Sequence, residues 1–381
     1  MKKHSVNERI IRPTKKRKRR PENQLVMLVI GVIVLTGLFF LTRAAFPSLF
    51  GMPIKTTASW TGNTTTGSDI TTPSSNTSHT SGSTSLSTTS SSQTTATTAP
   101  TATTISSAER AQAFNKAKSD IEALIATYKG RYAIYYQNLV NGEIYSFKAN
   151  TPFVAASSIK LGINTHLYLQ IADEKISPTE ILAYDNRPYP TGDYEAGTGI
   201  IQSQPNGTKY SVRDTSGLSI RISDNCATNM VIRKLGGIDK VNEYLRLVSG
   251  IVDYRKSVSY TNYAGTAVSG RHRTCATDLG LHAVSLYQLY QDNPTVYQPL
   301  IDDLCETEFD FGIQKGIPEI IRVAHKIGTN GAYNTENDVG IVFAGEPFVL
   351  CVMTESGSAS NARRFQAEVA RILYQYIDKV T

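Results

Sequence analysis

The stretch Phe153-Val154-Ala155-Ala156-Ser157-Ser158-Ile159-Lys160 sets a serine three residues ahead of a lysine, just before the apolar run that begins at Leu161. On a helix, residues i and i+3 share a face, so the Lys160 amine can reach the Ser157 hydroxyl. A serine hydroxyl is a weak nucleophile at neutral pH and needs an adjacent base. A desolvated lysine near another cation can have its pKa lowered enough to serve. Taken alone, Ser-x-x-Lys is a weak signal. A chain this rich in serine contains one or two by accident, and the plain reading is a solvated helix face.

Two further motifs follow downstream. Ser223-Asp224-Asn225 begins a helical run over Cys226 to Leu235; by itself it reads as an ordinary helix N-cap. Lys326-Ile327-Gly328-Thr329 closes a predicted strand. Gly328 there lets a substrate backbone approach closely, and the Thr329 N–H is a candidate donor to a developing oxyanion. The three motifs come in order, 66 and 103 residues apart, on helix, helix start and strand.

Jointly they resemble the S-x-x-K, S-D-N and K-T-G signature of the penicillin-recognising serine hydrolases, most closely the class A β-lactamases. The resemblance covers essentially all of 108–381, including Gly236-Gly237, Asn337-Asp338-Val339-Gly340 and the closing helix. It implies that Ser157 is the acylated nucleophile and Lys160 its general base. Ser223 would pass a proton to the departing nitrogen. Asn225 would hydrogen-bond both Lys160 and the substrate amide, and Lys326 would stabilise the substrate carboxylate. The N–H groups of Ser157 and Thr329 would form the oxyanion hole, with Gly328 between Lys326 and Thr329 in the substrate-binding strand. No cofactor and no metal are implied.

Two departures matter. Ile327 stands where the family has a hydroxyl that binds the substrate carboxylate. The family also keeps a water-activating glutamate between the second and third motifs. Here the only carboxylate between Leu247 and Thr277 is Asp253, and the corresponding stretch reads Lys256-Ser257-Val258-Ser259-Tyr260-Thr261-Asn262-Tyr263. An acyl-enzyme should then form faster than it hydrolyses.

Working outward, Ala108 to Tyr128 has helical spacing, and Arg131 to Lys148 forms two β-rich runs around Asn141-Gly142, a favoured two-residue hairpin turn. The middle is mostly helical. Ile321–Ile327, Val339–Ala344 and Phe348–Met353 read as strands, and Asn361–Val380 as an amphipathic helix. Strands from both ends around a helical middle predict an α+β fold, an α/β sandwich with a mainly antiparallel sheet flanked by helices. The resemblance adds an all-helical subdomain.

The chain has 381 residues, 39 basic and 32 acidic, for a net charge of +7. The first 23 residues hold ten Lys or Arg against two Glu, so the rest carries 29 basic and 30 acidic residues, or −1. A basic nucleic-acid-binding domain is excluded. Leu25 to Leu41 is seventeen residues without a charge, near the lower limit for spanning a bilayer. Basic residues before it and only Arg43 just after it place the N-terminus in the cytoplasm. The expectation is a basic cytoplasmic tail (1–23), a signal anchor that partners the membrane (24–42), a Ser/Thr-rich disordered linker (43–107) and an extracellular domain (108–381). From Thr56 to Ser107, 34 of 52 residues are Ser or Thr, too polar to offset the entropy of ordering.

Cys226, Cys275, Cys305 and Cys351 are too far apart for a CxxC site; an extracellular location permits disulfides in three connectivities, and buried free thiols are the favoured reading. His325 reads as pointing away from the Lys326 face, and Arg363 and Arg364 as solvated charges. The functional reading is a membrane-anchored, monomeric serine hydrolase acting on β-lactams or D-Ala-D-Ala-type peptidoglycan peptides at a bacterial cell wall. An efficient class A β-lactamase and a non-catalytic wall-binding domain are the alternatives.

Overall fold

In the computed structural model the described residues are 105–250, 258–261, 265, 267–270 and 273–381. The basic tail, the apolar segment 24–42 and the Ser/Thr-rich stretch up to residue 104 lie outside them, as do Lys256, Ser257, Asn262 and Tyr263. Among the described residues no helix is long and apolar enough to cross a membrane.

Helix α1 (Ser107–Thr127) starts on a reciprocal capping box between Ser106 and Glu109. Strands β1 (Arg131–Asn138), β2 (Ile144–Phe147) and β3 (Phe153–Val154) follow, and a 3-10 turn over Ala156–Ile159 runs directly into α2 (Lys160–Ala172). The chain continues through β4 (Ile181–Ala183), β5 (Lys209–Ser211), α3 (Val212–Arg221), α4 (Asn225–Lys234) and α5 (Ile238–Val248). Then come β6 (Val258–Thr261), β7 (Ala267–Gly270), β8 (Arg273–Thr274), α6 (Ala276–Asp292) and α7 (Pro294–Cys305). Strands β9 (Val323–Asn330), β10 (Thr335–Val342) and β11 (Phe348–Glu355) lead into α8 (Ala359–Val380).

The main sheet has the order β2-β1-β11-β10-β9 and is antiparallel throughout. Alternation along the strands divides the apolar residues between two cores. Tyr132, Ile134 and Tyr136 of β1 and Phe348, Leu350 and Val352 of β11 pack with Phe365 and Leu373 of α8 and Ile121 of α1. Ala133 and Tyr135 of β1 and Val349, Cys351 and Met353 of β11 face the helical part, against Ala276, Leu279 and Ala283 of α6. Every residue of β10 and β11 is buried, because both faces of the sheet are covered. This is the α+β sandwich that the sequence predicts, but the part expected to be all-helical also carries the two-stranded pairs β4–β5 and β6–β7.

Helix α2 is the centre of that helical part: each residue from Lys160 to Tyr168 is buried, so it has no solvent face. Asn164, buried at its centre, is met internally. It donates to Ser219 Oγ at 3.0 Å and accepts from Ser216 Oγ at 2.9 Å. A helix held this way fixes where its first residue, Lys160, points.

Two local expectations change. The β1–β2 connection is not a two-residue turn. Asn138 N–H donates to the Glu143 carbonyl at 2.8 Å, closing a four-residue loop, Leu139–Gly142. The buried Asn138 side chain sets that length, its Oδ1 accepting from the N–H groups of Val140 and Asn141. The second change concerns Lys326-Ile327-Gly328-Thr329, which is not a strand terminus. β9 continues to Asn330, because β10 reaches back to pair Asn337 with Gly328, Glu336 with Thr329 and Thr335 with Asn330.

Candidate active site

Ser157 sits on the 3-10 turn and Lys160 opens α2. In a 3-10 turn residues i and i+3 eclipse one another, so the spacing read from the sequence survives with a tighter geometry. Three interactions fix the turn. Ser158 Oγ donates to the Ala155 carbonyl at 2.6 Å, and Asn337 Nδ2 donates to the carbonyls of Val154 and Ala155 at 2.8 and 3.2 Å. Ala156, immediately before Ser157, has φ +47°. That left-handed backbone is unfavourable for a residue with a Cβ and persists only where its surroundings enforce it.

Gly328 explains how β9 comes so close to that turn. A Cβ built there would lie 2.5 Å from Ser158 N, 2.7 Å from the Ala155 carbonyl oxygen and 3.0 Å from Ser157 N. The backbone that approaches Gly328 is therefore the chain's own. Ser157 and Thr329, the two residues whose N–H groups are expected to hold the oxyanion, line one cleft as a result.

The second wall is built by the start of α4. Asp224 caps the helix by accepting from Ala227 N–H at 2.9 Å. Ser223 just before it adopts φ +56°, which turns its carbonyl and hydroxyl toward α2. Lys160 Nζ donates to the Ser223 carbonyl at 2.6 Å, to Asn225 Oδ1 at 2.9 Å and to Ser223 Oγ at 3.2 Å. Lys326 Nζ, fully buried under the cleft, reaches the same Ser223 Oγ at 3.1 Å, with the Phe309 ring 5.5 Å away. Burial first, and the nearby Lys160 charge second, push the Lys326 amine well below the ordinary lysine value, with Asp338 opposing. The folding of three distant motifs thus converges two amines on one hydroxyl beside a serine.

The cleft has a volume of about 420 Å³. Ser157, Lys160, Ser223, Asn225 and Thr329 all line it, with Lys326 beneath. Ile327 also lines it and is buried, offering an apolar surface where a hydroxyl was the family expectation. His325 is held outside the lining, between Asp338 at 3.0 Å and Gln314 at 3.0 Å. Arg363 is paired with Glu336 at 3.0 Å and stacks on Phe311, and Arg364 stacks on Tyr128; neither lines the cleft. The four cysteines are free thiols, Cys305 half-buried and the others buried.

Sequence reasoning missed one side of the site. A strap running over Glu195-Ala196-Gly197-Thr198 forms part of the lining, as does Phe309. The strap is sewn to the second motif: Asn225 N–H donates to the Thr198 carbonyl at 3.1 Å, and Thr198 Oγ1 donates to the Ser223 carbonyl at 2.7 Å. Asn225 Nδ2 donates to the Ala196 carbonyl at 3.2 Å. The signal that could have found it lies on α4, where Asn225, Asn229 and Arg233 recur every four residues on one face.

The family model described as the beta-lactamase enzyme family matches residues 116–377. The chain belongs to this family. It is a serine hydrolase of the β-lactamase type, with the penicillin-recognising motifs assembled as above. Similar proteins include an imipenem-hydrolyzing beta-lactamase of Enterobacter cloacae, 26% identical over 69% of this chain and 90% of that one. A beta-lactamase of Bacillus licheniformis is 24% identical over 62% of this chain and 75% of its own length. Among solved structures, PBP-A matches with a TM-score of 0.59 at 23% identity, over 69% of this chain and 96% of that one. An ancestral class A beta-lactamase matches with a TM-score of 0.58 at 22% identity, over 68% and 99%. At that identity the structural likeness establishes the β-lactamase-like α+β fold.

Proposed function

We propose that this beta-lactamase family member forms an acyl-enzyme on Ser157 with β-lactams or with D-Ala-D-Ala-type wall peptides. The observation that carries the reading is the Lys160–Ser223–Lys326 cluster beside Ser157 in one cleft. Lys160 takes the Ser157 proton as Oγ attacks the acyl carbon. Ser223, bonded to both amines, hands a proton to the departing nitrogen. The N–H groups of Ser157 and Thr329 receive the oxyanion. The β-lactam assignment draws support from relatives whose names give that activity, and from a PBP-A variant captured as an acyl-enzyme complex with penicillin G.

Deacylation is the slower step, because Asp253 is the only carboxylate between Leu247 and Thr277, where the family keeps its water-activating glutamate. The efficient β-lactamase reading stands second, favoured by a carboxylate elsewhere in the cleft, Glu195. We place the enzyme outside the cell, held to the membrane by residues 24–42 behind the ten cations of the tail.

The test is to label the full-length, detergent-solubilised chain with a fluorescent penicillin, using Ser157→Ala as control. Label that depends on Ser157 and outlasts removal of free drug supports the reading, and rapid turnover supports the alternative. Absence of Ser157-dependent label sinks both.

A further inference from the structure

We infer that Glu195 is the base that activates the water hydrolysing the Ser157 acyl-enzyme, an assignment that rests on the acyl-enzyme reading. Among the described residues lining the cleft, Glu195 is the only carboxylate. It stands on the strap between the first and second motifs, not on the stretch after the second motif where the family keeps its glutamate.

Helix α4 sets its position. Asn225, Thr228 and Asn229 all face the cleft. Asn225 holds Lys160 through Oδ1 at 2.9 Å, and Asn229 Nδ2 donates to Glu195 Oε2 at 3.0 Å. Four residues of helix separate the two asparagines by roughly 6 Å. The lysine and the carboxylate are thus each held by an asparagine, on successive turns of one face of α4, and both wall the cleft that contains Ser157.

The strap is fixed well enough to hold a base in register. Asn225, Asn229 and Arg233 form a ladder along α4. Asn225 Nδ2 donates to the Ala196 carbonyl at 3.2 Å, and Asn229 Nδ2 also donates to the Asp193 carbonyl at 3.2 Å. Arg233 grips the buried Asp193 carboxylate in a fork, Nε to Oδ1 and Nη2 to Oδ2, both 2.9 Å. Glu195 N–H approaches Cys226 Sγ at 3.5 Å. Gly197 completes the fit, since a Cβ there would fall 2.7 Å from Asn225 Nδ2. The half-buried Glu195 side chain leans on a rigid edge, as general-base work requires.

The step balances without a co-reactant other than water. The water oxygen bonds to the acyl carbon while its proton passes to the Glu195 carboxylate, and the carbonyl oxygen takes the negative charge. On collapse the bond from that carbon to Ser157 Oγ breaks. Oγ recovers the proton Glu195 had accepted, and the product leaves as a carboxylic acid. Nothing is oxidised or reduced.

The test acylates the full-length chain with fluorescent penicillin, removes excess drug and follows loss of label from Ser157 across acidic to neutral pH, alongside Glu195→Gln and Glu195→Asp. Gln preserves the size of the side chain and an oxygen for Asn229, so the strap keeps its anchor; a thermal melt checks this. The expected result is an acyl-enzyme at least about tenfold longer-lived in the Gln variant, intermediate in Asp, with the acid-side fall in the deacylation rate lost in Gln. A Gln lifetime within about twofold of the parent, or an acid limb that survives in Gln, overturns the assignment. So does a parent label that never decays, or a variant that changes only the drug concentration needed for labelling, the mark of a carboxylate binding substrate charge. A parent that takes no Ser157-dependent label overturns the acyl-enzyme reading itself, an outcome distinct from the others.

Discussion

Lys160 Nζ and Lys326 Nζ both hydrogen-bond the Ser223 hydroxyl, at 3.2 and 3.1 Å. Two ammonium groups sharing one buried acceptor repel each other in a medium that screens poorly. Burial and, after it, the Lys160 charge hold the Lys326 amine well below the ordinary lysine value.

Lys326→Met removes the buried amine. In the parent, burial and Lys160 depress the Lys326 amine, while in the unfolded chain it titrates near about 10.4. Between those two values the unfolded chain binds more protons, so this group makes stability rise with pH across the window, and its full penalty is present below the folded value. The variant should melt higher than the parent near neutral pH, by roughly 2–4 °C for each kcal/mol relieved. It should also lose part of the parent's rise in melting temperature toward about pH 10, and acylate about a hundredfold more slowly. Calorimetry across pH and the penicillin-labelling rate check each part.

Gly328→Ala and Gly331→Ala form a matched pair. The first drives a methyl group into Ser158 N and the Ala155 carbonyl, whereas a Cβ at Gly331 meets nothing within 4 Å. Gly328→Ala should cost about 1–3 kcal/mol or more in a denaturant melt. By displacing the nucleophile turn it should slow acylation by on the order of a hundredfold. Gly331→Ala should stay within about 0.5 kcal/mol of the parent and label normally. Equal behaviour of the two would refute the account of the turn.

Ile327→Thr places a hydroxyl on the cleft wall. The change exchanges buried apolar surface for a polar group and should lower stability by about 1 kcal/mol. It should raise the acylation rate for a penicillin relative to the methyl ester of the same penicillin, since only the free carboxylate gains a partner. The ratio of the two second-order labelling rates is the measurement; an unchanged ratio removes Ile327 from the carboxylate site.

The motif residues were legible because their chemistry is local: Ser157 and Lys160 lie one turn apart, Asp224 caps its own helix, and Lys326 rides a strand whose apolar run is plain. The sandwich was legible from the order of periodic segments. The β1–β2 loop was misread because Asn138 reaches forward to hold Val140 and Asn141, a side-chain bond that outweighs the preference of Asn-Gly for a tight turn. The Glu195 strap was invisible for another reason. It has no periodicity of its own, and its anchors lie across the fold, Asn229 being 34 residues away and Arg233 forty residues from Asp193. The role of Gly328 was likewise hidden, since its neighbour is the nucleophile turn, far upstream in the chain.

The core shared by the helical layer and one face of the sheet has a consequence for how the site works. Lys160, Ser223, Asn225 and Glu195 all belong to the helical side, while Gly328 and Thr329 belong to the sheet. The cleft is thus lined jointly by the helical layer and the sheet, which share one apolar core. A slip of β9 would carry Thr329, Gly328 and the Lys326 amine together, so it would alter the Ser157 turn and the contact to Ser223 in the same step. Lys326, rooted in the sheet with its amine on Ser223, is the bolt that keeps the two in alignment.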